Sequence, residues 1–247
     1  MSNNNIDLSV ILPTCNEKDN IIDLILELGL YINRYIKGRV EFIIVDDNSD
    51  DQTWKVAEDY FVSDSRVRVV RRLNEKGLAS AIYRGIQESR GDIVAWLDCD
   101  FSHPPYKFIE LLQKIDEGYD LAVGSRFVKG GKDIRGPIDS WLAVILSRLM
   151  NYFISFVLGS SFKDYTSGFV AVKREVFDRI KINGDYGEYF IEFIYKARKY
   201  GYKIIEVPYC CVPRRKGASK TGNNLWDYFL KGWKYILLTL KLKLRMR

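Results

Sequence analysis

The residues best suited to chemistry in this 247-residue chain are Asp98 and Asp100, flanking Cys99. They follow the apolar run Ile93-Val94-Ala95-Trp96-Leu97, which reads as a buried strand delivering two carboxylates to its C-terminal mouth. In an open α/β sheet that mouth is where ligands bind. Two hard oxygen ligands there suit a divalent cation that also holds a phosphate-bearing substrate. The other reading is an acidic strand-to-helix turn, with one Asp capping a helix that begins near Pro104.

Three further clusters follow apolar runs: Pro13-Thr14-Cys15-Asn16-Glu17, Asp46-Asp47-Asn48-Ser49 and Asn74-Glu75-Lys76-Gly77-Leu78-Ala79. Carboxylates at such positions can accept hydrogen bonds from a base and from ribose hydroxyls. Asp50, Asp51 or Ser49 also suits helix capping, and Gly77 lets a helix start close to a ligand. No G-x-G-x-x-G follows the first strand, and there is no G-x-x-x-x-G-K-[ST], which argues against NAD and against a P-loop NTPase. A nucleotide site with acidic loops and no glycine cradle needs a metal to neutralise phosphates.

The elements that must carry these groups alternate. Strands are expected at 8–12 (closed by Pro13), 40–45, 67–70, 93–97 and 121–123. Helices are expected at 20–36, from Thr53 through Tyr60, at 77–89 and at 105–117. This rhythm indicates an α/β fold with a mostly parallel sheet flanked by helices. Later, 169–172 and 203–208 read as strands, with a helix at 188–200 between them. The stretch 138–159 is long and apolar, but Arg148 at its middle argues against a membrane span and for an interfacial or partner-packed helix. From Leu225 to Arg245 an amphipathic helix gathers Leu225, Phe229, Trp233, Ile236, Leu237, Leu240 and Leu244 on one side. Asp227, Lys231, Lys234, Lys241 and Arg245 fall on the other. Trp226 and Trp233 beside cations suit a headgroup interface; the alternative is a surface helix covering the core.

Composition narrows the partners. The net charge is +6, yet residues 214–247 carry ten Lys or Arg against one Asp, so the preceding 213 residues are at −3. A basic C-terminal segment on a nearly neutral body points to an anionic surface, either nucleic acid or acidic lipid. Nucleic-acid binding leaves Asp98 and Asp100 unexplained, and the basic segment is rich in bulky aliphatics, so a membrane surface is expected and nucleic acid is not. Four cysteines without C-x-x-C spacing and one histidine make a zinc site unexpected. The N-terminus lacks a signal peptide pattern, and the cysteines suit a reducing compartment.

These motifs together resemble the inverting nucleotide-sugar glycosyltransferases of family two with the GT-A fold, and within them the dolichyl-phosphate mannose synthases and related polyprenyl-phosphate hexosyltransferases. The matching segments are 10–17, 45–53, 76–81, 97–105, 124–126, 164–169, 206–208 and 214–220. The resemblance implies a GT-A catalytic domain over 1–222, including the apolar interface segment 138–159, followed by a basic amphipathic helix over 223–247. It implies that Pro13, Glu17, Asp46 or Asp47, and Lys76 line the nucleoside pocket, with Thr14, Gly77, Cys99 and Ser167 also among substrate-contacting positions. Asp98 and Asp100 would hold Mg²⁺ or Mn²⁺ against the donor diphosphate. Ser102 stands where many relatives have a Gln that joins the metal shell, and a water would complete the coordination here.

Arg126 and Arg214 would grip phosphate oxygens of acceptor or donor, Ser219 and Lys220 would close over the bound phosphates, and Asp164 would orient Arg126 or Ser167. His103 would cap the diphosphate or serve the turn. The implied reaction moves mannose from GDP-mannose to a polyprenyl or dolichyl phosphate. The alternatives are a UDP-glucose-dependent enzyme of the same kind, or a transferase acting on a hydroxyl in polysaccharide synthesis. The implied location is the cytoplasmic face of a membrane, peripheral or monotopic. Larger relatives carry transmembrane hairpins after the catalytic domain. Their absence from this sequence leaves a peripheral protein, one held by a membrane-anchor subunit, or a piece of a longer chain.

Overall fold

The structure is a computed structural model and describes residues 6–135, 141–217 and 225–244, leaving aside the side chains of 142, 143 and 225–231. The expected positions Ser219 and Lys220, and the side chain of Trp226, lie outside the described residues. A seven-stranded sheet has the order β3-β2-β1-β4-β7-β5-β8. These strands are β1 (Ile6–Thr14), β2 (Val40–Asp46), β3 (Val67–Arg71), β4 (Gly91–Trp96), β5 (Leu121–Ser125), β7 (Val170–Lys173) and β8 (Ile204–Pro208). All neighbours pair in parallel except β7, which runs antiparallel to both β4 and β5. A separate parallel ribbon joins β6 (Lys132–Asp133) to β9 (Cys210–Cys211).

Alternation along the strands builds a core on each face. Leu8, Val10 and Leu12 of β1, with Phe42 and Ile44 of β2, pack under α1 (Ile21–Tyr35), α2 (Thr53–Tyr60) and α4 (Phe108–Asp116). Ile11, Ile43, Val45 and Trp96 face the other way, toward α3 (Leu78–Glu88), α5 (Trp141–Val157), α6 (Glu188–Lys199) and α7 (Leu225–Leu244). Strands buried on both faces read as nearly continuous apolar runs, and this is why 40–45 and 93–97 show so little alternation of polarity.

Several boundaries differ from expectation for local reasons. β1 runs on through Pro13 to Thr14, because the β4 partner ends at Ile11↔Trp96 and only β2 pairs beyond it. The helix expected from Pro105 opens as a 3₁₀ turn, Pro105–Lys107, and turns α-helical only at Phe108. On α7 the stripe of Trp233, Leu237, Leu240 and Leu244 is exposed, and Tyr235, Leu238 and Leu242 make the core contact instead. The helix therefore has two apolar faces, and the one that stands out in sequence is not the one that covers the core. No helix among the described residues is long and apolar enough to cross a membrane.

One buried carboxylate ties the sheet together at the end opposite the mouth. Glu41 accepts from Ser9 Oγ at 2.7 Å and from the Arg90 backbone N–H and guanidinium at 2.7 and 2.8 Å, joining β1, β2 and the start of β4. Burial alone would raise its pKa, but the Ser9 and Arg90 bonds and the Arg90 charge outweigh burial and hold it below the usual carboxylate range. A depressed carboxyl stabilises the fold at pH values above its unfolded pKa, and that stabilisation is lost as pH falls through the folded value. Glu41→Gln is therefore expected to lower unfolding free energy by about 2 kcal/mol near pH 7. The gap to wild type should close in acid, as read from urea melts across pH. An equal gap at pH 7 and pH 3 would contradict this account.

Candidate active site

The C-terminal ends of β1, β2 and β4 converge, and the expected site residues gather there. Asp98 lies two residues past β4, and its backbone N–H donates to His103 Nδ1 at 3.1 Å. The His103 ring stacks on Phe169 with centroids 4.9 Å apart and meets Tyr209 edge-on. Burial lowers its pKa, so the ring is neutral and acts as a fixed acceptor that shapes the acidic loop. The alternative of a diphosphate contact gains no support from a side chain so enclosed.

Asp100 is pinned on both oxygens. Oδ1 accepts from the Ser102 N–H at 2.9 Å, and Oδ2 accepts from Arg214 Nη2 at 2.7 Å. Burial would raise this carboxyl, but those hydrogen bonds and the Arg214 charge hold it ionised. Asp98 is the reverse: burial and the like charge of Asp100 push its pKa up, and among the described residues no hydrogen bond reaches its carboxylate. A half-buried anion in that state is stabilised by a cation. The oxygen donors fit a hard divalent ion such as Mg²⁺ or Mn²⁺. No cluster of three His, Cys, Asp or Glu side chains is gathered for a metal among the described residues. Asp98 and Asp100 would therefore share an ion with substrate phosphates. Ser102 contributes its backbone to Asp100, and its carbonyl accepts from the Val212 N–H at 3.2 Å.

Between the two acidic positions and Ser102, Phe101 adopts φ 66°, a left-handed conformation rare for a bulky residue. The Arg215 guanidinium lies 3.5 Å over its ring, and the Arg215 N–H donates to the Asp100 carbonyl at 2.9 Å. Residues 212–217 thus form a strap across the acidic loop. Asn20 fastens its far end, donating to the Lys216 carbonyl at 3.2 Å and to Glu17 Oε2 at 2.8 Å. The Glu17 charge also acts on Asp98, so Glu17 faces the same mouth. Cys99 is buried, and its thiol reaches the Pro13 carbonyl at 3.4 Å, joining the ends of β4 and β1.

The neighbouring acidic turn separates two residues that the sequence treats as equivalent. Asp46 is fully buried and accepts from Thr14 Oγ1, the Ser49 N–H and Ser49 Oγ at 2.6–2.8 Å, so Asp46 and Thr14 are committed to each other. Asp47 is also buried and accepts from the Gly77 N–H at 2.7 Å. Gly77 takes φ +125°, and a Cβ there would approach the Asp185 carbonyl at 3.2 Å. Lys76 beside it is exposed.

Sequence reasoning missed Arg72, whose side chain is 4% exposed and paired with Asp47. It donates Nε to Asp47 at 2.7 Å, Nη1 to Ser80 Oγ at 2.8 Å and Nη2 to the Gly77 carbonyl at 2.9 Å. Its position just past β3, at the same sheet edge as the acidic clusters, was the available signal.

On the other side of the mouth Arg126 is buried. Its N–H and Nε donate to Asp164 Oδ2 at 2.9 Å, and Nη2 donates to Asp164 Oδ1 at 2.7 Å and to Thr166 Oγ1 at 2.9 Å. Asp164 thus meets Arg126 and not Ser167, whose hydroxyl accepts from the Phe169 N–H at 3.3 Å. Asp133 and Arg135 were also missed. Arg135 pairs with Asp133 through Nε and Nη2 at 2.9 and 2.6 Å, and its charge acts on Asp98. Asp133 ends a two-residue strand and Arg135 lies just past it, so their i, i+2 spacing carries no periodic signal.

Arg72→Met leaves Asp47 as an uncompensated buried charge and is expected to cost about 3 kcal/mol of stability. Adding Asp47→Asn should recover part of that loss in urea melts. A double variant no better than the single would remove the ion pair as the cause.

The comparisons with known proteins agree with this architecture. The family model described as "Glycosyl transferase family 2" matches residues 9–181. A dolichol-phosphate mannosyltransferase from Pyrococcus furiosus is 37% identical over 227 residues, covering 90% of this chain and 61% of that protein. This chain therefore spans less than two thirds of that relative's length. A polyprenol monophosphomannose synthase from Mycolicibacterium smegmatis is 34% identical over 232 residues, covering 90% of this chain and 84% of that protein. A crystal structure of glucosyl-3-phosphoglycerate synthase from Mycobacterium tuberculosis, with Mn²⁺, UDP and phosphoglyceric acid, superposes with TM-score 0.68. Its identity is 20%, and the match covers 96% of this chain and 78% of that one. The same enzyme with Mg²⁺ and UDP gives TM-score 0.67 at 21% identity, covering 96% of this chain and 79% of that one. At such identities the likeness shows the fold. The sheet, the acidic mouth and the family match together establish that the chain belongs to glycosyl transferase family 2.

Proposed function

We propose that this protein transfers mannose from GDP-mannose to a polyprenyl or dolichyl phosphate with inversion, giving a lipid-linked monophospho-sugar. The observation that carries the reading is the Asp98–Asp100 pair at the sheet mouth, with Arg214 fixed on Asp100 at 2.7 Å. The names of the two relatives support mannose and a polyprenyl phosphate. UDP-glucose as donor is the second choice, prompted by the glucosyl enzyme that shares the fold.

The groups available for general-base work are engaged elsewhere. His103 is neutral, enclosed and accepting from Asp98, and Asp164 is bound to Arg126. An acceptor that arrives as a phosphate monoester carries its own negative charge near neutral pH and needs little help from a base. Its oxygen attacks the sugar C1 as the C1–O bond to the nucleoside diphosphate breaks, and the pair of electrons leaves with the diphosphate. A Mg²⁺ or Mn²⁺ on Asp98 and Asp100 would supply charge neutralisation for that leaving group. Asp47, fixed by Arg72 and Gly77, borders the pocket proposed for the nucleoside. Glu17 borders the mouth, and Arg214 lies where developing negative charge would need a forked donor.

The acceptor's tail implies a bilayer. Trp141, Ile145, Leu149, Tyr152 and Phe156 form an exposed stripe along α5, and α7 adds Trp233, Leu237, Leu240 and Leu244. The two helices meet where Met150 Cε lies 3.6 Å from a Cβ built at Gly232. Arg148, Lys234, Lys241 and Lys243 flank the stripes. Aromatic and aliphatic groups beside cations suit the headgroup boundary, and we place the protein peripherally on the cytoplasmic face of a membrane.

Incubation with a panel of GDP- and UDP-sugars, a polyprenyl phosphate and Mn²⁺ should yield an organic-extractable glycolipid. Labelling only of a water-soluble acceptor would overturn the reading. Asp100→Asn should cut turnover by about 100-fold or more. The double variant Trp233→Glu/Leu237→Glu should release the protein from anionic liposomes while leaving its melting temperature near wild type, since both side chains are half exposed. Unchanged sedimentation would exclude this face as the membrane contact.

A further inference from the structure

Arg126 was expected to grip a phosphate, yet its side chain is 5% exposed and its donors are occupied by Asp164, Thr166 and, through Nη1 at 3.4 Å, Asp133. The same Asp133 oxygen receives Arg135 Nη2 at 2.6 Å. Arg135 differs in two respects. Its side chain is 29% exposed, and among the described residues nothing accepts from its Nη1.

Its place in the fold is also informative. Asp133 sits opposite Cys211 in the β6–β9 ribbon, and the Ile134 N–H donates to the Cys211 carbonyl at 2.9 Å. β9 runs directly into the strap that brings Arg214 to Asp100, so Arg135 is anchored beside the acidic loop. Its charge acts on Asp98 more strongly than that of Arg126. In the other direction only five residues separate Arg135 from Trp141, where α5 begins with its exposed apolar stripe. Arg126 is tied to the same helix, since Asn151 Nδ2 donates at 2.8 Å to the Thr166 hydroxyl that Arg126 also contacts. The corner between acidic mouth and apolar stripe is where a lipid's charged head must sit if its tail lies along α5.

We propose that Arg135, held by Asp133, is the guanidinium that binds the phosphate head of the lipid acceptor, and that Arg126 is a positioning residue that braces Asp133 and Asp164. This assignment rests on the transferase reading above. A guanidinium with one edge committed to a carboxylate can present the other to phosphate oxygens, which a lysine could not do in the same geometry. The donor diphosphate is assigned to the neighbouring Asp98, Asp100 and Arg214.

The test is equilibrium binding of farnesyl phosphate and of farnesol to the full chain, for wild type, Arg135→Gln, Arg135→Lys and the double variant Arg135→Gln/Asp133→Asn. The double variant removes the buried carboxylate together with its partner, so a folding defect in the single variant does not decide the matter. Wild type should prefer the phosphate by at least about tenfold. The preference should vanish in both glutamine variants and survive in part in Arg135→Lys. Retention of the preference in a natively folded glutamine variant, or its absence in wild type, overturns the assignment. Hexose transfer separates the two readings. Wild type that shows the preference but transfers no hexose refutes the transferase reading alone. Transfer with an unchanged acceptor KM in Arg135→Gln refutes the role of Arg135 alone.

Discussion

Two like charges held close together in a buried place constrain the rest of this molecule. Burial and the Asp100 charge raise the cost of ionising Asp98, and the surrounding structure reads as a set of responses to that cost. Arg214 and the Ser102 N–H keep Asp100 charged. His103 supports the loop as a neutral acceptor and so adds no positive charge that would neutralise the pair. The Asp98 carboxylate receives no hydrogen bond among the described residues, which is the condition under which a divalent ion gains most by binding.

The same logic of paired charges divides the mouth into two halves. On one side Asp47 is fixed by Arg72 and Gly77; on the other, Asp133 and Asp164 are fixed by Arg126 and Arg135. The Arg72 and Arg126 pairs are carboxylate–guanidinium arrangements with little solvent, where breaking one partner costs more than the pair contributes. Such pairs hold side chains in one geometry, as a site that works by positioning requires.

The sheet and its acidic ends were legible in sequence because apolar runs that stop at Asp or Pro have few other meanings. Asp98, Asp100 and Glu17 came together as their strand-end positions implied. What was not legible depends on contacts between segments far apart in the chain. Asp46 and Asp47 are adjacent and identical in type, and only the Thr14 hydroxyl and the Arg72 fork separate a carboxylate held within its own turn from one held by a guanidinium. Arg126 reads as an available cation until Asp164, 38 residues away, is seen to occupy it. Periodicity found helix α7 but not its orientation, since a helix with two apolar faces gives no clue to which one meets the core.

Phe101 carries a consequence of a different kind. A bulky residue in the left-handed region costs on the order of 1–3 kcal/mol, and here the strap residue Arg215 covers its ring and bonds its neighbour's carbonyl. The acidic loop and the strap are therefore conditional on each other for their order. Whichever becomes fixed first lowers the entropic cost of fixing the second. A ligand that settles on the loop would also tighten the strap, and a change in the strap would be felt as a loss of definition at Asp100. The two behave as one cooperative unit assembled from segments 114 residues apart in the chain.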